Sequence, residues 1–185
     1  ADSIFILNEF QIPKGEKDIF VPYLPDREMR AYRTPSSINK YFFYPYLNGK
    51  KITTEEIQTF FPKTWRYLEK HKQELQKRGS LKSEKREWWE PMRPRLPKNM
   101  FRPKIITPHL VIAPKFSLDE RGMYAVSRSP LLYLKRSVFG VEEVDTSALE
   151  LDYLKFFLAV LNSSICFWHI TTNSHKYQHG YTMLE

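Results

Sequence analysis

The chain of 185 residues has little cysteine and no long hydrophobic run. Its single cysteine, Cys166, excludes an internal disulfide framework and favours a reducing compartment, so we expect a cytoplasmic protein. No apolar stretch approaches the roughly 18 residues that a membrane span requires, which argues against an integral membrane protein and against a membrane partner. Residues 1–10 also lack the basic and apolar regions of a signal peptide.

Glycine is also scarce, and all six glycines are isolated along the sequence. Phosphate and dinucleotide loops need clustered glycines, because only glycine lets the backbone amides approach the ligand closely. The sequence therefore excludes both kinds of loop. It contains no Gly-x-Ser-x-Gly elbow, and no acid-x-Lys pair follows Pro25-Asp26 as a metal-dependent nuclease would require. We predict no catalytic residues in this chain.

A metal site has one candidate, Cys166-x2-His169 followed by His175-x3-His179. Cysteine and histidine at such spacings can converge on zinc. However, Cys166 and His169 lie in an apolar run, where a thiol is ordinary packing. We predict a buried, structural Cys166 and no metal, with zinc as the alternative.

The net charge of +8 is concentrated in one segment. Residues 63–104 contain 14 Lys and Arg against five Asp and Glu, and the rest of the chain sums to −1. The chain also contains 28 aromatic residues. Cations bind phosphates and aromatic rings stack on bases, so this composition favours a nucleic-acid-binding surface.

Nine basic residues of this segment are our candidates for DNA contacts. Four arginines rank highest, because neighbouring prolines would hold the backbone that carries them. We expect Trp88 and Trp89 to be core residues rather than base contacts, since large aromatic side chains are usually buried. The nine candidates are Lys63, Arg66, Lys70, Lys85, Arg86, Arg93, Arg95, Lys98 and Arg102, of which the four arginines are Arg86, Arg93, Arg95 and Arg102.

The hydrophobic pattern predicts an α+β fold of short strands and a few helices, with strands contributed by both ends of the chain. A strand-rich entry covers residues 1–52, a basic helical and Pro/Arg-rich segment covers 53–104, and a hairpin with an apolar core helix covers 105–185. Thr53 is the predicted cap of a first helix, and Pro62 begins a second that runs to about Arg78. Strands are predicted at 3–7, 41–44, 105–107, 110–112 and 116–118, with 123–126 returning as the hairpin partner of 116–118. An apolar helix is predicted over 151–168, with a break at Asn162-Ser163.

The ends of the sequence indicate a domain taken from a longer protein. The first residue is not methionine, and the chain stops directly after Met183-Leu184-Glu185. We therefore expect further domains in a parent polypeptide.

Several segments, read in order, resemble one family. They are Asp18-Ile19-Phe20-Val21-Pro22-Tyr23-Leu24 with Arg27-x2-Arg30-x-Tyr32, then Tyr44-Pro45-Tyr46, Leu75-x2-Arg78, Trp88-Trp89-Glu90-x2-Arg93-Pro94, Pro103-Lys104-Ile105-Ile106-Thr107-Pro108, Phe116-Ser117-Leu118-Asp119, Leu158-x2-Leu161-Asn162-Ser163 and Gly180-Tyr181. Together they resemble the TaqI-like C-terminal specificity domain of N6-adenine DNA methyltransferases, including fused restriction-modification enzymes. The resemblance covers nearly the whole chain.

This resemblance implies a single target-recognition domain, residues 1–185, that holds double-stranded DNA against the catalytic methyltransferase domain of the same polypeptide. Such enzymes flip the target adenine and methylate it from S-adenosylmethionine. The family's Asn/Asp-Pro-Pro-Tyr/Phe motif is absent, since no two prolines are adjacent. We therefore expect no cofactor in this chain and S-adenosylmethionine in the parent's catalytic domain. The parent would be an S-adenosylmethionine-dependent adenine-N6 methyltransferase, alone or fused to an endonuclease. The alternatives are a protein-interaction module of such an enzyme and a metal-dependent nuclease.

Overall fold

The structure is a computed structural model that describes residues 2–79, 86–91, 94–126, 129–134 and 147–184. The chain forms two compact units: residues 1–23 with 38–98, and residues 24–37 with 99–185. The expectation of one target-recognition domain over 1–185 stays a prediction.

Both units combine short strands with helices, as the predicted α+β class requires. The strands are β1 (Ile6–Asn8), β2 (Phe20–Pro22), β3 (Tyr32–Arg33), β4 (Lys40–Phe43), β5 (Tyr46–Leu47), β6 (Lys50–Lys51), β7 (Lys104–Ile106), β8 (Leu110–Val111), β9 (Ser117–Asp119), β10 (Leu131–Leu132) and β11 (Thr182–Met183). The α-helices are α1 (Thr54–Phe60), α2 (Pro62–Lys70), α3 (Lys72–Gln76), α4 (Pro97–Met100), α5 (Ser147–Leu161) and α6 (Ser164–Asn173). Short 3-10 turns occupy Asp2–Phe5, Glu9–Gln11, Lys17–Ile19, Asp26–Glu28 and Gln178–Gly180.

The first unit is built on an antiparallel sheet with β4 in the middle. Strand β4 pairs with β1 and β2, so that Phe42 lies opposite both Ile6 and Val21. The predicted strand at 41–44 is confirmed to within one residue. The segment predicted as a strand at 3–7 instead begins as a 3-10 turn, and its extended part starts only at Ile6.

Local sequence signals account for the first two helices. Thr53 and Glu56 form a reciprocal capping box: the Thr53 hydroxyl accepts the Glu56 N–H at 3.2 Å, and the Glu56 carboxylate accepts the Thr53 N–H at 2.7 Å. Pro62 is the first residue of α2. The expected helix to Arg78 is interrupted at His71, where φ is −101° and ψ is 6°. No described contact explains this interruption.

Helices α1, α2 and α3 pack their apolar side chains into one core with residues of the sheet region. Ile57, Leu68 and Leu75 are fully buried with Phe5 and Phe43. Trp89 joins this core with 1% of its surface exposed, and its indole N–H donates to the Thr54 hydroxyl at 3.2 Å. The core assignment of Trp89 is thus confirmed, whereas Trp88 is half-buried and packs on Trp65 with ring centroids 5.4 Å apart.

The second unit contains a four-stranded sheet in the order β10-β7-β9-β3. Strands β7 and β9 are antiparallel, and β3 joins β9 in parallel at the edge. An ion pair lies buried in this unit, where the Lys104 ammonium donates to Asp119 Oδ2 at 2.7 Å and to the Met100 carbonyl at 2.7 Å. Burial lowers the pKa of Lys104 below its ordinary value, and the carboxylate of Asp119 opposes that shift.

The hairpin predicted between 116–118 and 123–126 is wrong. Strand β9 pairs with β7 and β3, and the Ala125 carbonyl accepts the N–H of Leu24 at 2.9 Å. The physical reason lies in Asp119, whose carboxylate oxygens accept the N–H groups of Met123 and Tyr124, each at 3.0 Å. The Asp119 side chain therefore binds the backbone N–H groups that a β-ladder between the two segments would have used.

Helices α5 and α6 meet at the predicted break, with their axes bent by 70°. Asn162 fixes the break, because its amide exchanges hydrogen bonds with the Phe116 backbone at 3.1 and 2.9 Å. Of the described helices, none is by itself long and apolar enough to cross a bilayer; only the bent pair together reaches that length and composition.

The expectation that α5 is a core helix throughout is only partly right. Leu154 and Leu158 are buried against the sheet, but Phe156 and Phe157 are 62% and 42% exposed. The prediction of a buried Cys166 is wrong as well: the thiol residue is half-exposed on α6, and the Trp168 side chain two residues beyond it is 68% exposed. The helices are apolar on more than one side, so the sheet covers only part of their apolar surface.

Candidate nucleic-acid interface

Helix α2 carries a cationic stripe, which we define as Lys63, Arg66 and Lys70. All three residues are exposed. At about 100° per residue they fall within about 60° of arc, and the buried Thr64 and Leu68 lie on the opposite side of the helix. The apolar side packs into the core of the first unit, so the cationic side must face outward.

A buried carboxylate from another part of the sequence holds the start of α2. Glu16 is 4% exposed. Its Oε1 accepts the Lys63 N–H at 3.0 Å, and its Oε2 accepts the Thr64 N–H and the Thr64 hydroxyl, both at 2.7 Å. These bonds satisfy backbone donors that a helix N-terminus leaves unpaired, and the negative charge suits the positive end of the helix dipole. The stripe therefore begins at a fixed point.

The three cations of the stripe differ in whether their charged groups have a hydrogen-bond or ion-pair partner within the protein. The Lys63 ammonium donates to the Lys14 carbonyl at 2.8 Å. Within the described part of the chain, Arg66 and Lys70 have no ion-pair partner. One exposed acid, Glu69, flanks the stripe. Arg66 and Lys70 are thus the members best placed to bind an external anion.

A further cation, on the next helix, lies beside an aromatic ring. Lys72 is exposed on α3, and its ammonium stands 5.2 Å from the centroid of the half-buried Trp88 ring. The cation-π contact orients the ammonium. Lys72 is not among the nine residues predicted from the sequence, because its contact with Trp88 joins residues 16 positions apart and leaves no local pattern.

The other predicted residues of the first unit lie on separate elements. Arg86 is half-buried and donates to the Pro91 carbonyl at 3.2 Å. Arg95 and Lys98 are exposed. The Tyr44 hydroxyl donates to the Arg95 carbonyl at 2.6 Å, and burial raises the pKa of Tyr44, so this phenol stays protonated and holds the Arg95 backbone in place. Lys85 and Arg93 lie outside the described residues.

Arg102 belongs to the second unit and is engaged there. Its guanidinium forms an ion pair with Glu150, donates to the Leu134 carbonyl at 2.7 Å and lies 4.9 Å from the Tyr133 ring centroid. Its backbone is also crowded: Gly122 has φ +64°, and a Cβ there would overlap the Arg102 main chain. These contacts give Arg102 a structural role in joining α5 to the sheet region.

Among the exposed residues of the second unit that sequence analysis does not list as candidates are Arg30, Tyr32 and Arg33. Arg30-x-Tyr32 is visible in the sequence as part of the segments that carry the family resemblance. Its exposure depends on the pairing of β3 with β9, which joins residues 85 positions apart and leaves no local signal.

Metal-ligating side chains do not gather in the described residues, where no three or more His, Cys, Asp or Glu residues come together as a possible metal site. Cys166 and His169 both lie on α6. The Asn173 side-chain amide donates to the His169 carbonyl at 2.8 Å. The structure therefore gives the zinc alternative no third or fourth ligand among these residues.

Comparison with known proteins shows similarity to part of a type II methyltransferase. No protein-family model matches the chain. In an alignment of 129 positions that covers 66% of this chain, it is 29% identical to the type II methyltransferase M.BanIII of Aneurinibacillus aneurinilyticus. The chain spans only about a fifth of that protein, 22% of its length. The chain is therefore similar to part of a type II methyltransferase, and this similarity relates it to restriction-modification proteins.

Proposed function

We propose that this chain is the DNA target-recognition domain of a site-specific adenine-N6 DNA methyltransferase or type II restriction-modification enzyme, and that it reads double-stranded DNA for a separate catalytic domain. The order of motifs that resembles the TaqI-like specificity domain supports this proposal. The similarity to a type II methyltransferase supports it independently. Both point to the same class of protein.

The cationic stripe of α2 is the observation that carries the proposal. Lys63 and Lys70 are seven residues apart, which is about 10 Å along a helix. Phosphates of one DNA strand follow each other at about 3.4 Å along the duplex axis, so the stripe matches the axial length of about three phosphates. Cations fixed on a rigid helix can position a duplex, while base contacts from other residues would set its sequence preference.

Catalysis belongs elsewhere in the parent polypeptide under this proposal. The chain has no adjacent prolines and hence no Asn/Asp-Pro-Pro-Tyr/Phe motif. It covers 22% of its methyltransferase relative. We assign S-adenosylmethionine binding, base flipping and methyl transfer to the remaining part of the parent, and we propose that the complete protein acts in the cytoplasm.

The experiment compares two double variants of the 185-residue chain. Arg66→Gln with Lys70→Gln removes two charges from the stripe. Lys50→Gln with Lys155→Gln removes two charges from exposed residues on β6 and α5 and is the matched control. Affinity for duplex DNA is measured by fluorescence anisotropy over a range of salt concentrations. If both stripe residues contact phosphates, the slope of log K against log salt becomes shallower by about 1.8 in the first variant.

The control variant should keep the wild-type slope. Equal loss in both variants would mean that only net charge matters, and would refute a defined interface on α2. Wild-type binding that does not respond to salt would refute the proposal for the whole chain.

A second candidate function, docking to the rest of the parent polypeptide, is favoured by the exposed apolar surface of α5 and α6. Its large exposed side chains are Leu149, Tyr153, Phe156, Phe157, Val160, Ile165 and Trp168. Contiguous apolar patches of this kind mark interaction sites. The occupant that we propose is the catalytic domain, because the methyltransferase relative is more than four times as long as the region matched here.

Hydrogen exchange tests this second function in the intact parent. Residues 147–173 should be more protected there than in the 185-residue chain. Phe156→Ser with Trp168→Ser should abolish the difference, whereas Phe10→Ser, a change of an 86% exposed phenylalanine in the first unit, should not. Equal protection in both proteins would reject docking at α5 and α6. Protection of residues 147–173 that rises with protein concentration would instead indicate that a second copy of the chain covers this surface. Protection that appears on addition of lipid vesicles would indicate that a membrane covers it.

A further inference from the structure

Tyr32 combines an unfavourable backbone conformation with an exposed side chain. Its φ is 72°, in the left-handed region that disfavours residues with a Cβ. Its side chain is 55% exposed, so burial of the ring does not offset this strain in full. Glycine would satisfy the backbone better, and the presence of an aromatic residue here calls for another explanation.

The backbone around Tyr32 is held by β9 and by the residue that precedes it. The Tyr32 N–H donates to the Phe116 carbonyl at 2.7 Å, and the Ser117 hydroxyl donates to the Arg30 carbonyl. Strand β3 pairs in parallel with β9, with Tyr32 opposite Ser117 and Arg33 opposite Leu118. These bonds impose the conformation, so the ring is presented outward from a rigid support.

Two arginines lie close to Tyr32 in the sequence, Arg30 two residues before it and Arg33 directly after it. Arg30 and Arg33 are both exposed, and within the described part of the chain neither has an acidic partner. Arg30 donates from Nη1 to the Arg27 and Met29 carbonyls at 3.0 and 3.1 Å, which restricts the orientation of its guanidinium. The nearest ion pair in the sequence is the exposed one between Arg27 and Glu28, at 3.9 Å.

An edge strand can also recruit another strand, but the geometry argues against that here. Strand addition needs extended backbone, and the positive φ of Tyr32 interrupts it in a strand of only two residues. An exposed ring with two exposed arginines close to it in the sequence instead suits a ligand with both anionic and flat aromatic parts. Nucleic acid has both, because its phosphates bind cations and its bases and sugars contact rings.

We infer that Arg30, Tyr32 and Arg33 form a DNA-contact site of the second unit, with the arginines on phosphates and the Tyr32 ring against a base or sugar. This inference rests on the proposed DNA-binding function and adds a site to it. The inference also accounts for the strained backbone at Tyr32, because a ring that is held rigidly before binding loses little conformational entropy when DNA binds.

Two variants of the 185-residue chain test the inference. Tyr32→Gly removes the ring and relieves the backbone, so the thermal midpoint should stay the same or rise while affinity for duplex DNA falls about fivefold or more. Asn48→Gly changes another exposed residue with a positive φ, 50°, between β5 and β6; it is the matched control and should leave DNA affinity unchanged. Arg30→Gln with Arg33→Gln should make the salt slope shallower by about 1.8.

The outcomes separate this inference from the proposed function. If wild-type and control chains bind DNA with a salt-dependent affinity while Tyr32→Gly and Arg30→Gln/Arg33→Gln bind equally well, the inference is overturned and the proposed function stands. A lower thermal midpoint for Tyr32→Gly with unchanged affinity would assign the ring to packing and overturn the inference. If the wild-type chain shows no salt-dependent binding of duplex DNA at low salt, both fail.

Discussion

The buried pair of Lys104 and Asp119 offers the sharpest test of how the second unit is stabilised. The two side chains are 0% and 2% exposed. Changing Asp119 to Ala leaves the Lys104 ammonium buried without its counter-charge, and it also removes the acceptor for the N–H groups of Met123 and Tyr124. The variant therefore loses an ion pair and two hydrogen bonds at once.

The magnitude follows from these three losses. Breaking a buried ion pair by removing one partner costs about 3–5 kcal/mol. The N–H groups of Met123 and Tyr124 are only part-buried, so water can reach them and their loss of an acceptor adds little. We therefore expect Asp119→Ala to lower the free energy of unfolding by about 4 kcal/mol. That is a large share of the roughly 5–15 kcal/mol typical of a native protein.

Urea denaturation followed by circular dichroism measures this difference. Glu120→Ala removes the neighbouring acid, which is exposed, and should stay within about 0.5 kcal/mol of wild type. A result for Asp119→Ala as small as that of the control would refute the reasoning, because a charge so deeply buried cannot lose its partner without cost unless the unit opens to water.

The pH dependence of the same variant gives an independent check. Burial lowers the pKa of folded Lys104, so the unfolded state binds more protons in the alkaline range and the stability contributed by this group rises with pH up to the unfolded pKa. Without Asp119 the folded pKa falls further, and the ammonium can lose its proton at less cost. The destabilisation by Asp119→Ala should therefore be smaller at pH of about 10 than at neutral pH.

Three further outcomes are expected. Glu16→Ala should lower the free energy of unfolding, measured by urea denaturation, by about 2–3 kcal/mol, because it leaves donors of Thr64 and Lys63 unsatisfied at the start of α2. A change near zero would mean that water replaces the carboxylate. The chain incubated with DNA and tritiated S-adenosylmethionine should transfer no methyl group above the blank, and clear turnover would place catalysis in this chain. The half-exposed Cys166 should react with a thiol reagent without denaturant, and elemental analysis should find no stoichiometric zinc; an unreactive thiol or bound zinc would contradict its position on α6.

Features that depend on neighbouring residues were predictable from the sequence. Thr53 with Glu56, and Pro62, each specify local geometry through a hydrogen bond or a preferred φ. The break at Asn162-Ser163 belongs to the same class. The helical spacing of Lys63, Arg66 and Lys70 also follows directly from their positions, once α2 is recognised as a helix.

Features that depend on distant residues were not predictable. Glu16 binds α2 across 48 positions, and Asp119 uses its side chain where a hairpin ladder was expected. Exposure was misjudged on α5 and α6, because a run of apolar residues shows that a helix can be buried but not how much of it a small sheet will cover. Tyr32 illustrates the same limit, since its φ is imposed by a strand more than 80 residues away.

The division of the chain into two units has a consequence for synthesis and for the exchange of modules. The polypeptide passes from one unit to the other three times, at 23/24, 37/38 and 98/99. On the ribosome, residues 24–37 emerge before any partner in their own unit exists, and β3 must wait for β9 while the first unit is being completed. Parallel pairing over such a separation is slow to form. A single crossover in the gene therefore cannot replace either unit alone, so new surface properties would be acquired by substitutions at the surface or by exchange of the chain as a whole.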